Sequence, residues 1–192
     1  MLLGASTGGP PAIQALLQAL PGDLPLGVLV AQHMPESFTR AFAERLARTT
    51  PFGASEAEDG DLVIEGRVLV APGNLHLEVR RDEGGGRLRA RLLPPDVEGH
   101  PRRICPSVDR LFASAALAMP RRLCGVVLTG MGSDGAAGVL AVKAAGGLTL
   151  AESDATAVVY GMPGAAEASG AVDEVLPLPA LAARVARFAR EG

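Results

Sequence analysis

The feature that most limits the fold of this chain is an alternation. Short, nearly continuous apolar runs at 27–31 (GVLVA), 67–71 (RVLVA), 125–128 (GVVL) and 148–151 (LTLA) take turns with stretches whose apolar residues recur at helical spacing. A strand apolar along its whole length is buried on both faces, and buried strands joined through helices form a parallel sheet. In the stretch 10–20, Ile13, Leu16, Leu17 and Leu20 fall at i, i+3, i+4 and i+7, and a proline at its start suits a first helical turn. The same periodicity predicts helices over 37–48, 107–119, 135–145, 163–169 and 179–190, and a last strand at 174–176. The expected fold class is therefore α/β: a doubly wound, mainly parallel sheet with helices on both faces. No internal repeat or linker interrupts the pattern, so residues 1–192 are expected to form one domain.

Two stretches break the alternation. Leu75, Leu77 and Val79 alternate with His76, Glu78 and Arg80; after Gly84-Gly85-Gly86, Leu88, Ala90 and Leu92 alternate with arginines. Period-two patterning predicts a β-hairpin with one solvated face. It is expected at an edge of the sheet, with His76 facing outward. Residues 50–66 are acidic and aperiodic, which predicts a loop with a short strand at 62–64, and 94–106 reads as a Pro-rich loop.

Bulk properties narrow the function. Net charge is −3, and the basic stretches at 80–91 and at Arg102-Arg103 are not interleaved with aromatics, so a nucleic-acid partner is not expected. No apolar run approaches the roughly 20 residues of a membrane span, and the N-terminus has no secretory pattern, so the expectation is a cytoplasmic protein with no direct membrane insertion. The two cysteines, Cys105 and Cys124, have no metal-binding spacing, and no metal or organic cofactor is expected.

In open parallel sheets, ligands bind beyond the carboxyl ends of the strands. Three chemically capable segments fall there. Gly4-Ala5-Ser6-Thr7-Gly8 matches G-x-S-x-G, a strand-to-helix turn that exposes a serine hydroxyl close to free helix N–H groups. Taken alone, the segment serves equally as a Gly-rich anion-binding turn. His33 ends the second strand, where an imidazole is placed for general-base work or simply caps local backbone. Asp134 ends the Gly-rich loop 129–135, and on its own reads more simply as a helix N-cap. Together, a hydroxyl, an imidazole and a carboxylate at one sheet edge are the parts of acyl-transfer catalysis. Their chain order, Ser, His, Asp, differs from that of the α/β-hydrolases.

Six segments carry a family resemblance: GASTGGP (4–10), QHMP (32–35), APGNLHLEV (71–79), PSVDRLF (106–112), LTGMGSDGAAGVLAVKAAGG (128–147) and YGMPGAA (160–166). Spread in this order over nearly the whole chain, they resemble the catalytic domain of the chemotaxis protein-glutamate methylesterases, the CheB family. The resemblance implies hydrolysis of glutamate γ-methyl esters, with deamidation of glutamines in some members, on the cytoplasmic helices of methyl-accepting chemoreceptors. It places Ser6 as nucleophile, His33 as base and Asp134 as triad acid, with Thr7 and Met131 in the oxyanion and active-site loops. It also implies regulation by a receiver domain, in cis in a longer protein or in trans, since no receiver is present in this sequence. Two alternatives stay open: a nucleotide- or anion-binding α/β domain using loop 4–10, and a non-catalytic receptor-binding relative. Ser107 and Asp109 are expected to cap the helix that follows them, and Glu152 to lie in a loop near the site.

Overall fold

In the computed structural model, residues 1–84, 86–95, 104–119 and 121–191 are described; Arg102, Arg103 and most of the Pro-rich loop lie outside them. The elements run β1 (Leu2–Ala5), α1 (Gly9–Gln18), β2 (Val28–Gln32), α2 (Glu36–Thr49), β3 (Gly53–Glu56), β4 (Arg67–Val70), β5 (His76–Arg81), β6 (Leu88–Leu93), α3 (Val108–Ala118), β7 (Cys124–Val127), α4 (Ala136–Ala144), β8 (Leu148–Glu152), α5 (Met162–Ala168), β9 (Glu174–Leu176) and α6 (Leu178–Glu191).

Seven strands form one parallel sheet in the order β3-β4-β2-β1-β7-β8-β9. Because side chains alternate along a strand, each strand feeds two cores. Leu3, Val30, Val70, Val126 and Leu150 face α1, α2 and α6, meeting Ile13, Leu16, Phe42, Leu46, Leu181 and Val185. Leu2, Leu29, Leu69 and Val127 face the opposite way, onto Leu111 and Phe112 of α3, Val139 and Val142 of α4 and Met162 of α5. Burying one such Leu or Phe contributes about 1.5–3 kcal/mol, which is why apolar runs rather than alternation mark these strands. The chain leaves β1 toward β2 on one side and later returns to β7 on the other. That reversal puts the topological switch point at the carboxyl ends of β1 and β7, the place where such sheets bind ligands.

The two irregular stretches differ from expectation. The hairpin forms, but β5 and β6 make their own antiparallel sheet, separate from the large one. Leu77, Val79 and Ala90 join the core on the α3 side. Near the start of β5 the polar face is also covered, because it turns onto α3. His76 is buried there, its Nδ1 accepting the Ser107 amide at 3.2 Å, so the expectation of an outward His76 is corrected. Glu78 on the same face accepts from Arg110 Nε and Nη2 at 3.1 and 2.5 Å. Residues 62–64 are not a strand: Leu62 makes a single bridge to Arg89, and Val63 donates to the Leu88 carbonyl. The strand in this region is β3, which holds the sheet edge by backbone pairing to β4 and carries only one small apolar residue, Ala54.

Candidate active site

The carboxyl ends of three adjacent strands, β2, β1 and β7, bring His33, Ser6 and the loop 129–135 together. Backbone bonds continue the sheet pattern one step past the strands: Ser6 N–H donates to the Thr129 carbonyl at 3.0 Å, and His33 N–H to the Ala5 carbonyl at 2.9 Å. Gln32, the last residue of β2, is buried and ties two of these segments together. Its Nε2 donates to the carbonyls of Ser6 (2.9 Å) and His33 (3.0 Å). On the other side, the Thr129 amide donates to Glu152 Oε2 at 2.9 Å, and Thr129 Oγ1 donates to the Thr7 carbonyl at 2.9 Å. Glu152 is fully buried at the end of β8 rather than in a loop, and it holds the start of loop 129–135 from beneath. Gly130 is required for this approach: a Cβ there would lie 2.7 Å from Ser6 Cβ and 2.4 Å from Met162 Sδ.

His33 Nε2 and Asp134 Oδ2 lie 2.8 Å apart, with both side chains largely buried. A carboxylate only accepts, so Nε2 carries the proton and Nδ1 is left as the basic nitrogen. Asp134 does not cap the helix that follows it, whose N-cap is Gly135; its carboxylate instead takes up the free amides of a different helix. Its Oδ2 also accepts the Val108 amide (2.7 Å), and its Oδ1 accepts the Asp109 amide (2.9 Å) and Ser107 Oγ (3.1 Å). The helix capped is thus α3, not α4. Burial alone would raise the Asp134 carboxyl; the hydrogen bonds from His33 and from the Asp109 and Val108 amides outweigh it and hold the group below the usual carboxylate range. Ser107 caps α3 as expected, its Oγ accepting from the Arg110 amide at 3.3 Å. Asp109 does not cap α3; its Oδ1 accepts the Gly135 and Gly138 amides at 2.8 and 2.6 Å and so caps α4.

Around Ser6 the structure is open. Its Oγ has no hydrogen-bond partner among the described residues, and no direct bond joins it to His33. Helix α1 starts at this turn, with Gly8 as N-cap at φ 81°, a left-handed conformation that glycine adopts without strain. The first turn of a helix ordinarily presents several unpaired N–H groups. Here Pro10 and Pro11 have none, and Gly9 N–H donates to the Ser6 carbonyl at 2.8 Å. The amides of Thr7 and Gly8 remain, without an acceptor among the described residues. Met131, in the loop 129–135, is exposed. Among the described residues, no group of His, Cys, Asp and Glu is arranged to hold a metal ion, and no helix is long and apolar enough to cross a membrane.

The family model described as CheB methylesterase matches residues 1–185. The chain belongs to the CheB methylesterase family. A protein of Anaeromyxobacter dehalogenans (strain 2CP-C) named protein-glutamate methylesterase/protein-glutamine glutaminase 6 is 64% identical over 190 residues, covering 99% of this chain and 54% of that protein. A Myxococcus xanthus (strain DK1622) protein named protein-glutamate methylesterase/protein-glutamine glutaminase 1 is 52% identical over 189 residues, covering 96% of this chain and 53% of its own length. The chain therefore spans about half the length of the curated relatives it matches. The crystal structure of the Thermotoga maritima CheB methylesterase catalytic domain superposes with a TM-score of 0.90 at 36% identity, covering 97% of this chain and 96% of that one. The seven-stranded sheet with its separate hairpin is thus the fold of the CheB catalytic domain.

The sequence offers Ser6, His33 and Asp134 as candidates but gives no sign of the side chains bonded around them. Gln32, Ser107 and Thr129 all lie inside the motifs that carry the resemblance. Only the structure shows that Gln32 spans two strand ends and that Ser107 donates to Asp134.

Proposed function

We propose that this chain is the catalytic domain of a protein-glutamate methylesterase. It hydrolyses glutamate γ-methyl esters, and deamidates glutamines, on the cytoplasmic helices of methyl-accepting chemoreceptors. The observation that carries this reading is the 2.8 Å His33–Asp134 bond set beside Ser6 at the ends of adjacent strands. Ser6 Oγ attacks the ester carbonyl while His33 Nδ1 takes its proton. The tetrahedral oxyanion is held by the free Thr7 amide, with the Gly8 amide beside it and the Met131 loop across the cleft. Collapse of the intermediate breaks the C–O bond, and the His33 proton passes to the leaving methoxide to give methanol. Water then attacks the acyl-serine, with His33 again taking a proton, and releases glutamate and Ser6. A glutamine substrate follows the same path with ammonia leaving. Asp134 keeps Nε2 protonated and stabilises the imidazolium.

The alternative of an anion-binding loop fits less well. A phosphate cradle needs several backbone N–H groups, and Pro10-Pro11 removes two where they would serve. The domain is proposed to work in the cytoplasm under a receiver domain supplied in cis or in trans. Methanol release from methylated chemoreceptor membranes tests the reading. Ser6→Ala is expected to reduce release by several orders of magnitude, on the order of 10⁶, with no change in melting temperature. Equal release by wild type and Ser6→Ala would reject it.

A further inference from the structure

The two carboxylates at the site are exchanged between two helices. Asp134, from the loop ahead of α4, caps α3; Asp109, in the first turn of α3, caps α4. Each residue thereby sets the other's position, since the Asp109 amide is itself one of the donors to Asp134. We propose that Asp109 is a positioning residue of the triad, which brings a second negative charge behind Asp134 to support the imidazolium formed on His33 during turnover. The inference rests on the triad proposed above.

The charges around this pair favour that role. Both carboxylates line a cavity of about 640 Å³ together with His76 and Glu78 from β5 and Arg110 from α3. Arg110 is committed to Glu78 through two bonds. His76 Nδ1 accepts the Ser107 amide, so that nitrogen carries no proton. The Cys105 thiol beside them is pushed up by burial and stays neutral. Arg91 Nη1 also lies 3.9 Å from Glu78 Oε2, so both arginines are drawn to Glu78, and the cation that turnover creates beside Asp134 is the His33 imidazolium. A cap alone has no need of this charge, because Asn or Ser accepts helix N–H groups as well as Asp does. Burial and the neighbouring Asp134 raise the Asp109 carboxyl despite its two backbone bonds, so ionisation at this position opposes folding. A neutral cap avoids that cost.

The test is Asp109→Asn, which keeps an oxygen for the Gly135 and Gly138 amides but removes the charge. His33 is followed by NMR titration in the full chain beside Asp134→Asn. The expected result is an unchanged or higher melting temperature, with the His33 ring titrating roughly half a unit or more lower than in wild type. Asp109→Glu, which restores the charge, is expected to bring the ring back toward the wild-type position. If Asp134→Asn moves His33 and Asp109→Asn does not, Asp109 is a cap only; the proposal is overturned while the triad stands. If neither substitution moves it, the His33–Asp134 couple fails and takes the proposal with it. Should Asp109→Asn not fold, Asp109→Ser gives the same neutral-cap comparison.

Discussion

Asp134 and Ser6 stand on neighbouring strand ends of one sheet, in opposite surroundings. The Asp134 carboxylate accepts from His33 Nε2, two backbone amides and a serine hydroxyl, and is almost wholly buried. The Ser6 hydroxyl has no partner among the described residues, and the amides beside it are equally free. The difference separates two jobs. The proposed acid–base half is held before substrate arrives, by the same bonds that tie the start of α3 to the loop after β7. The proposed nucleophile half is left without partners among the described residues, so in the proposed mechanism substrate completes its hydrogen bonds. Substitutions on the first side should therefore cost both rate and stability, and substitutions on the second should cost rate alone.

Asp134→Asn should break the contrast most strongly. With a neutral amide in place of the carboxylate, His33 loses its tautomer control, and methanol release is expected to fall about 10⁴-fold. Unlike Ser6→Ala, it should also destabilise, by about 1–3 kcal/mol in urea unfolding, because charge-assisted bonds to the start of α3 are weakened. Equal stability in the two variants would mean that the bonds to α3 carry little weight.

Gln32→Leu probes the link between the halves. It removes the amide that joins the Ser6 and His33 carbonyls. Two partly buried carbonyls lose a donor, and that of Ser6 keeps the Gly9 amide, so a stability loss of about 1 kcal/mol is expected, with a rate loss of roughly tenfold from misplaced groups. A rate loss as large as that of Ser6→Ala would show that the nucleophile depends on the acid–base half for its position.

The smallest effect is in the acid dependence of stability. The Asp134 carboxyl is held below its unfolded value of 3.8. Its contribution is therefore complete above that pH and disappears as pH falls toward the lower folded value. Asp109 has the opposite sign: its carboxyl is raised, so its ionisation removes stability as pH rises from 3.8 through the folded value. The difference in unfolding free energy between wild type and Asp134→Asn should thus shrink steadily from pH 5 toward pH 2. A constant difference would place the Asp134 effect in packing instead of charge.

The sequence shows most clearly what burial demands. Every helix expected from spacing lies within two residues of an observed one at either end, because α1, α2, α3 and α6 each carry a one-sided apolar face. Strand β3 escaped notice because an edge strand held by backbone bonds needs no apolar residues, and Gly53–Glu56 has little else. His76 was misplaced because alternation tells which residues share a face, not what covers that face. Ser6, His33 and Asp134 could be named together as candidates because strand ends in a parallel sheet share an edge. The partners of Asp134 could not, since capping of α3 from 26 residues away leaves no local spacing to read.

The position of β1 between β2 and β7 also bears on how the site comes into being during synthesis. Ser6 and His33 follow β1 and β2, which are made before β7, while Asp134 lies 101 residues beyond His33. At about 5–20 residues per second, a nascent chain carries its serine and imidazole for roughly 5–20 seconds without the carboxylate proposed to orient the imidazole. In the proposed mechanism, a ribosome-bound or prematurely terminated chain therefore holds the hydroxyl and the imidazole without the carboxylate, and the proposed triad is complete only when β7 has slotted in beside β1.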